Sequence, residues 1–217
     1  MTIDLTQGSP EWRQARAGSL GASQVSDALA TLRTGKWAGS RDTIMGTLIS
    51  ERLTGSPADT YTNTSMQWGL DTEPEARIAY EFEFNVTVQE VGIVRHPNIL
   101  HTHASPDGII GEGLIEIKAP NTATHIATLL GKNLALKYLT QMQWQMACTG
   151  AVWCDFVSYD PRMPDEMRMF VQRIQRDEET IKHLEDGVAL FLDELQKKLE
   201  NLTQKYPPPP VNVISAL

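Results

Sequence analysis

Two short apolar runs joined by a glycine-rich turn constrain the fold of this chain more than any other feature. Residues 108–118 read "GIIGEGLIEIK". Apolar and β-branched residues bounded by glycines are typical of two antiparallel strands joined by a tight turn. Because side chains alternate along a strand, Ile115 and Ile117 are expected to face a core, while Glu116 and Lys118 share the other face. The sequence therefore predicts a β-hairpin that carries a charged pair.

Helix and strand patterns extend on both sides of this hairpin. The spacing of apolar residues and the cap residues predict helices starting at Ser9, over 23–32, over 43–53, from Thr72 with Pro74 in its first turn, over 133–148 and over 177–205. Further strands are expected at 86–91, 101–105, 151–160 and 167–174. The length favours a single domain over residues 1–206, followed by a proline-rich tail at 207–217.

Composition excludes several classes of protein. No apolar run approaches the roughly 18 residues that span a bilayer, and the first residues lack the order of a signal peptide, so we expect a soluble, cytoplasmic protein. Two cysteines cannot form a four-cysteine zinc or iron–sulfur site within one chain. The net charge of −8 argues against a general DNA-coating protein, but it is compatible with a cation-binding site in a local basic groove.

An acid precedes the hairpin and is expected to lie across from its charged pair. Asp107 occupies a Pro-Asp-Gly turn, and Glu116 and Lys118 follow on the second strand. Mg²⁺ prefers oxygen ligands, which Asp107, Glu116 and the backbone carbonyl of Ile117 can supply. Lys118 can orient a metal-bound water and stabilise charge on a phosphate. This combination predicts hydrolysis of a phosphodiester.

Taken alone, these residues fit a surface turn beside a solvated charge pair equally well. Two further features favour the catalytic interpretation. Glu73 lies on the inward face of an upstream predicted helix, and Tyr138, Gln141 and Gln145 form a polar stripe on a downstream one. A purely structural helix seldom needs such a stripe.

Five motifs, in order, carry a resemblance to a known family. They are "WGLDTEPEAR", "SPDG", "IEIKAP", "YLTQMQWQM" and "YDPRM". Together they resemble the lambda exonuclease family, also called YqaJ-type viral recombinase nucleases, within the PD-(D/E)xK superfamily. The resemblance runs from Trp12 to about Arg162.

The resemblance implies an α/β fold of the restriction-endonuclease type, with a central mixed β-sheet flanked by helices. It also implies Mg²⁺-dependent 5′-to-3′ degradation of one strand of linear double-stranded DNA from 5′-phosphorylated ends. Mononucleotides are released and a 3′ overhang is left for a single-strand annealing protein. Family members form a ring-shaped homotrimer, and a phage or prophage origin is in keeping with the family.

The resemblance also implies a role for each candidate residue. Asp107, Glu116 and the Ile117 carbonyl would hold the main metal, Glu73 the second metal, Lys118 would be the catalytic lysine and Gln141 would position the attacking water. Mg²⁺ is the expected ion at both positions, with Mn²⁺ as a substitute.

A second group of residues is expected to contact DNA. By resemblance, Arg16 and Ser23 would bind the terminal 5′-phosphate and Arg33 would enter the DNA. Lys36, Trp37 and Tyr138 are further candidate DNA contacts, and Arg33, Lys36 and Arg41 are expected to line a central channel.

The chain departs from the family pattern in two places. The gap from Asp107 to Glu116 is one residue shorter than in the lambda enzyme, which predicts a tighter hairpin turn, and Pro97 stands where that enzyme has another acid. His101 and His103 share a strand face, so a zinc pair is conceivable beside a packing or DNA-contact role. The rival functions are another PD-(D/E)xK nuclease, of the restriction or RecB-like type, and a catalytically inactive DNA-binding or interaction protein.

Overall fold

The structure is a computed structural model that describes residues 2–58 and 63–207. It contains two four-stranded sheets flanked by helices, with strand orders β1-β3-β4-β2 and β5-β6-β7-β8. Each sheet combines parallel and antiparallel pairs. This confirms the predicted α/β class with a mixed sheet, and adds a second mixed sheet that the sequence did not indicate.

The elements alternate along the chain. The strands are β1 (Thr2–Ile3), β2 (Leu20–Gly21), β3 (Ile93–Arg95), β4 (Thr102–Ala104), β5 (Gly108–Ile110), β6 (Gly113–Lys118), β7 (Trp153–Tyr159) and β8 (Met169–Gln175). The helices are α1 (Pro10–Arg16), α2 (Ala22–Ala28), α3 (Gly39–Thr54), α4 (Thr64–Phe84), α5 (Thr122–Leu129), α6 (Leu136–Thr149) and α7 (Glu178–Lys205). Residues 208–217 of the predicted tail lie outside the described part of the chain.

The predicted hairpin is formed by β5 and β6. Ile110 pairs with Gly113, so the turn contains two residues. Gly111, the first of them, has a φ of 56°, the positive value that a type II′ turn requires and that glycine adopts without steric cost. The short turn agrees with the expectation of a tight hairpin.

Both faces of β6 are buried, which positions the charged residues of the hairpin. Ile115 and Ile117 pack with Tyr80 of α4 in one core cluster. Leu114 packs with residues of α6 in another. Glu116 lies on the same face as Leu114 and only 1% of its surface is exposed. The acid of this strand therefore faces a covering helix rather than solvent.

Helix α4 is longer than the sequence predicted. It begins at Thr64, where the side chain of Asn63 accepts a hydrogen bond from the amide of Met66. Pro74 therefore lies inside the helix rather than in its first turn. Polar and threonine-rich residues surround Met66 and Leu70, whose four-residue spacing is too short a signal to indicate a helix, so the helix start was placed too late.

The strand expected at 86–91 is absent. Asn85 ends α4 in a left-handed conformation, and the amide of Val88 donates to the side chain of Glu81 in the same helix. A single bridge joins Gln89 to Ile109, and the strand that follows is β3. The apolar alternation in this segment serves packing against α4 rather than strand pairing.

No helix in residues 2–58 or 63–207 is both long and apolar enough to span a membrane. Cys148 and Cys154 are buried free thiols. Burial raises the pKa of both thiols, so they are protonated and inert at neutral pH.

Candidate active site

Asp107 and Ile117 meet where the hairpin strands diverge. Oδ2 of Asp107 accepts a hydrogen bond of 2.6 Å from the amide of Ile117. Because β5 begins only at Gly108, this carboxylate takes the place of a backbone partner. The N–H and C=O of a strand residue point to the same edge, so the Ile117 carbonyl is also on the side of Asp107.

Glu116 is held by three donors. Nε2 of Gln141 donates to Oε1 at 2.6 Å and Nε2 of Gln145 donates to Oε2 at 2.5 Å. Nζ of Lys118 also donates to Oε1. Gln141 and Gln145 are four residues apart on α6 and therefore share one face. The sequence placed Gln145 on the polar stripe, but gave it no part in the site.

The surroundings of Asp107 and Lys118 shift the pKa of both side chains. Burial raises the pKa of Asp107 well above its usual value, and the negative charge of Glu116 raises it further. Burial lowers the pKa of Lys118, but the charges of Glu116 and Asp107 outweigh that effect and leave the pKa above its usual value. Lys118 is therefore charged at neutral pH, and a bound cation would oppose the effects that raise the pKa of Asp107.

Glu73 lies near these groups but is engaged elsewhere. Its Oε1 accepts a hydrogen bond of 2.8 Å from Arg77, whose other nitrogen contacts Glu90 at 2.7 Å. Burial raises the pKa of Glu73, opposed by the charges of Arg77 and Lys118. Within residues 2–58 and 63–207, no three His, Cys, Asp or Glu side chains converge as a metal site. A second metal at Glu73 therefore stays a prediction, and Arg77 is a partner that the sequence did not indicate.

The remaining donors suit Mg²⁺. One or two carboxylates with a carbonyl and water is a common set of Mg²⁺ ligands. Asp107, Glu116 and the Ile117 carbonyl would supply such a set at the end of the hairpin. Burial and the negative charge of Glu116 both raise the pKa of Asp107, and a bound cation would oppose both effects.

Tyr138 adjoins the catalytic lysine candidate. Its ring centroid lies 5.8 Å from Nζ of Lys118 and 5.6 Å from the ring of Phe156. Tyr138 is half-buried, and its ring lies beside the side chain of Lys118.

Arg16 occupies a defined position at the end of α1. Its guanidinium stacks on the Trp12 ring at 3.9 Å, and its Nε donates to Nε2 of His103 at 2.8 Å. Gly21 allows this approach, because a Cβ there would lie 3.3 Å from Nη2 of Arg16. Ser23 is exposed in the first turn of α2, two residues beyond Gly21. Of the two residues predicted to bind the terminal phosphate, Arg16 therefore lies beside Gly21 in space, and Ser23 follows Gly21 along the chain.

The two histidines do not form a zinc pair. Both ring nitrogens of His103 are hydrogen-bonded, to Arg16 and to Ser19, and the ring is buried. His101 is exposed and has a φ of 59°. His103 therefore has no ring nitrogen free to bind a metal.

The basic loop between α2 and α3 is only partly as expected. Arg33 and Lys36 are exposed at a turn, and Trp37 is 53% exposed. Arg41 is 3% exposed, stacks on Trp37 at 4.1 Å and pairs with Glu194 at 2.9 Å. The expectation that Arg41 lines a channel is wrong, because α7 buries its side chain.

Comparison with known proteins gives a family. Residues 11–152 match the model of the YqaJ-like viral recombinase domain. Among curated proteins, no sequence matches this chain. Two crystal structures of LHK-Exo, an alkaline exonuclease from Laribacter hongkongensis, are 46% identical to this chain; each match covers 91% of this chain and 97% of theirs. The TM-scores are 0.85 for the complex with dAMP and 0.84 for the second structure.

A phage-related exonuclease from Haemophilus somnus 129PT shares the fold, with a TM-score of 0.64 at 15% identity over 85% of this chain and 96% of its own. The family model spans more than half of the chain and includes the acids, the lysine and both glutamines of the site. The fold is that of the matched exonuclease structures, and the chain belongs to the family of YqaJ-like viral recombinase domains.

Proposed function

We propose that this protein is a Mg²⁺-dependent 5′-to-3′ exonuclease that degrades one strand of linear double-stranded DNA from 5′-phosphorylated ends. The observation that carries the proposal is the convergence of Lys118, Gln141 and Gln145 on the buried carboxylate of Glu116, beside Asp107. An inactive scaffold has no need to keep a buried acid pair with its lysine, because unpaired buried charge is costly.

Each residue of the site has its own role in the proposed reaction. Asp107, Glu116 and the Ile117 carbonyl would hold Mg²⁺, which when bound supplies Lewis-acid activation of the phosphodiester and of water. Lys118 stabilises negative charge on the phosphate as the bond to the leaving oxygen breaks. Gln141 fixes Glu116 and positions the attacking water. Glu73 would hold a second Mg²⁺ in place of its contact with Arg77. Mn²⁺ is expected to substitute.

The substrate end is recognised by Arg16 and Ser23. A guanidinium can bind a phosphate through two parallel hydrogen bonds, which suits a terminal 5′-phosphate. Arg33, Lys36 and Trp37 contact the duplex further along, where their exposure leaves them free to do so. Tyr138 contacts the nucleotide next to Lys118.

The relative's bound molecule supports the proposed product. LHK-Exo has been crystallised with dAMP, a deoxynucleoside monophosphate. Stepwise cleavage from a 5′ end by this chain would release molecules of the same class. The other strand then remains as a 3′ overhang, which a single-strand annealing protein takes up in recombination of phage or prophage DNA in the bacterial cytoplasm.

A ring-shaped homotrimer is the proposed assembly. One face of α4 exposes five apolar residues at every fourth position: Met66, Leu70, Pro74, Ile78 and Phe82. Four of them are between 54% and 89% exposed. This apolar face of α4 is about 24 Å long and lies opposite the buried side of the helix. A second copy of the chain seated on it would bury apolar surface that a monomer leaves in water.

Digestion of three DNA substrates tests the function. With Mg²⁺ present, linear duplex with 5′-phosphate ends should be degraded to mononucleotides faster than the same duplex with 5′-hydroxyl ends. A closed circle should stay intact. Cleavage of the circle would instead favour a restriction-type endonuclease, and no cleavage of any substrate would favour an inactive binding protein.

A further inference from the structure

A chain of hydrogen bonds runs from Arg16 into the first sheet. Nε of Arg16 donates to Nε2 of His103 at 2.8 Å, and Nδ1 of His103 lies 2.9 Å from Oγ of Ser19. Oγ of Ser19 accepts a further hydrogen bond of 2.8 Å from Nη1 of Arg95. Arg95 is itself anchored, because its Nη2 donates to the carbonyl of Ala15. His103 and Ser19 are 1% and 5% exposed, so water does not compete for these bonds.

These hydrogen bonds fix the position of the ring proton of His103. Arg16 can only donate, so Nε2 of His103 must be the unprotonated nitrogen. The ring proton is then on Nδ1, where it is donated to Ser19. Burial lowers the pKa of His103 to about 3, and the charges of Arg16 and Arg95 act in the same direction. The imidazole is therefore neutral at any pH at which a nuclease works, and it stays an acceptor.

The neutrality of His103 matters for what Arg16 can bind. A carboxylate in its place would form an ion pair and cancel the charge of Arg16. A neutral imidazole orients the guanidinium without forming an ion pair with it. Because Nε is already occupied, the two terminal nitrogens are the pair left to contact a phosphate.

Two further contacts complete the orientation of Arg16. Trp12 covers one face of the guanidinium, and its own Nε1 donates to the carbonyl of Gly92 at 3.3 Å. Gly21 lies against both partners, since a Cβ there would be 3.1 Å from Nε2 of His103. The guanidinium is thus restrained on its face, at its Nε edge and beside its Nη2.

We propose that His103 is a positioning residue that pre-orients Arg16 for the terminal 5′-phosphate and thereby sets the preference for phosphorylated ends. The inference deepens the proposed function and rests on it. Ser19 and Arg95 act through His103, by holding the tautomer that accepts from Arg16. A preoriented guanidinium loses less side-chain freedom when the phosphate binds, which strengthens end recognition.

The test compares His103→Leu, which removes the acceptor, with His103→Gln, whose Oε1 can accept in place of Nε2. The measured quantity is the ratio of kcat/KM for 5′-phosphate ends to that for 5′-hydroxyl ends, on otherwise identical linear duplexes with Mg²⁺. We expect His103→Leu to lower this ratio about tenfold, which corresponds to one hydrogen bond to a charged group. We expect His103→Gln to recover most of it.

A double substitution separates positioning from general damage. Since His103 acts through Arg16, His103→Leu should change the ratio no further in an Arg16→Ala background. His183→Leu, which replaces an exposed histidine of α7, is the matched control and should leave the ratio unchanged.

Two outcomes would overturn the inference and are distinguishable. If wild-type protein prefers phosphorylated ends and folded His103→Leu keeps that preference, His103 does not position Arg16, although the proposed function stands. An equal loss of kcat/KM on both kinds of end, without recovery in His103→Gln, would also show that His103 does not position Arg16. If the wild-type protein shows no preference, phosphate recognition at Arg16 fails and the inference fails with it.

Discussion

Asp107 and Glu116 place two acidic groups in one buried space with Lys118 as their cation. One lysine cannot compensate two carboxylates, which is why the charge of Glu116 adds to burial in raising the pKa of Asp107. In the metal-free protein this arrangement costs folding free energy at neutral pH. A divalent cation would remove the cost, so the site exchanges stability for metal affinity.

Replacing Asp107 with asparagine should stabilise the metal-free protein at alkaline pH. A carboxyl group whose pKa is raised by folding binds its proton more tightly in the folded state, so stability falls as pH rises from about 4 through the folded pKa. In EDTA at pH 8, Asp107→Asn should unfold a few degrees above wild type, and the difference should vanish near pH 4. Thermal unfolding across this pH range measures it.

The same experiment with Mg²⁺ added supplies the control. Mg²⁺ should raise the unfolding temperature of wild type but not that of Asp107→Asn, because binding to the folded state alone stabilises it. Asp165→Asn, at an exposed site, should behave as wild type throughout. If Asp107→Asn is no more stable than wild type at pH 8, the buried acid pair is not under electrostatic strain.

Replacing Lys118 with alanine should lower kcat by about 10²-fold or more while the protein stays folded. The lost ammonium group is the positive side chain closest to Glu116, so charge that builds on the phosphate is no longer stabilised. Release of mononucleotides from linear duplex with saturating Mg²⁺ gives the rate. Lys137→Ala removes an exposed lysine that also lies beside Tyr138 and should retain full activity. Near-normal turnover in folded Lys118→Ala would contradict the assignment.

At the level of elements, the turn after β7 connects three parts of the structure. Asp160 is fully buried and accepts hydrogen bonds from Nε and Nη2 of Arg162, at 2.7 and 2.9 Å. It also accepts one of 2.7 Å from Thr122, the first residue of α5. The guanidinium of Arg162 stacks on Trp68 of α4 at 4.4 Å. Trp68 lies five residues before Glu73, so this turn fixes the part of α4 that faces the site.

Removing Arg162 should reduce stability in a pH-dependent way. The hydrogen bonds from Arg162 lower the pKa of Asp160 to about 2. A lowered pKa contributes stability that is fully present above about 4, the unfolded value, and is lost as pH falls toward 2. Arg162→Ala should therefore unfold a few degrees below wild type at pH 7, with a smaller difference at pH 2.5.

Thermal unfolding of both proteins between pH 2.5 and 7 tests this. Lys197→Ala, which breaks an exposed pair with Asp193, serves as the control and should show little effect at any pH, since exposed pairs contribute little. A constant difference between Arg162→Ala and wild type over the whole range would mean that the stack on Trp68, rather than the buried acid, carries the stabilisation.

At the level of the whole molecule, the apolar face of α4 predicts assembly. Phe82 is 89% exposed and lies at one end of that face. Phe82→Ser should shift the mass measured by light scattering from three chains toward one, because it removes apolar area from the proposed contact. Leu130 lies outside α4 and is 82% exposed, so Leu130→Ser should leave the mass unchanged.

Run length on long linear DNA, measured with a trap present, should fall together with the mass of Phe82→Ser. A ring retains the duplex by enclosure, so run length in the wild type should survive moderate salt better than initial binding, which depends on phosphate contacts. A wild-type protein that is monomeric at all concentrations would contradict the ring and leave the nuclease assignment intact.

The groups of the candidate site that lie within one element could be predicted from the sequence. The hairpin, the shared face of Glu116 and Lys118, and the stripe that contains Gln141 depend only on residue types and on spacing within one element. Those features were sufficient to predict the site at the end of the hairpin. The start of α4 was missed because, before Thr72, the helical spacing of Met66 and Leu70 is embedded in polar residues.

Only the tertiary structure decided which side chains from distant parts of the sequence contact each other. His103 and Arg16 are 87 positions apart, and Gln145 and Glu116 are 29 apart. Arg41 looked like a channel residue in its local segment, yet α7 supplies Glu194 and Phe191 and buries it. Contacts of this kind depend on how helices and sheets pack against one another, and local spacing does not record that packing. The sequence by itself therefore determined which groups could do the chemistry, and the packing of distant elements determined how each group is held and charged.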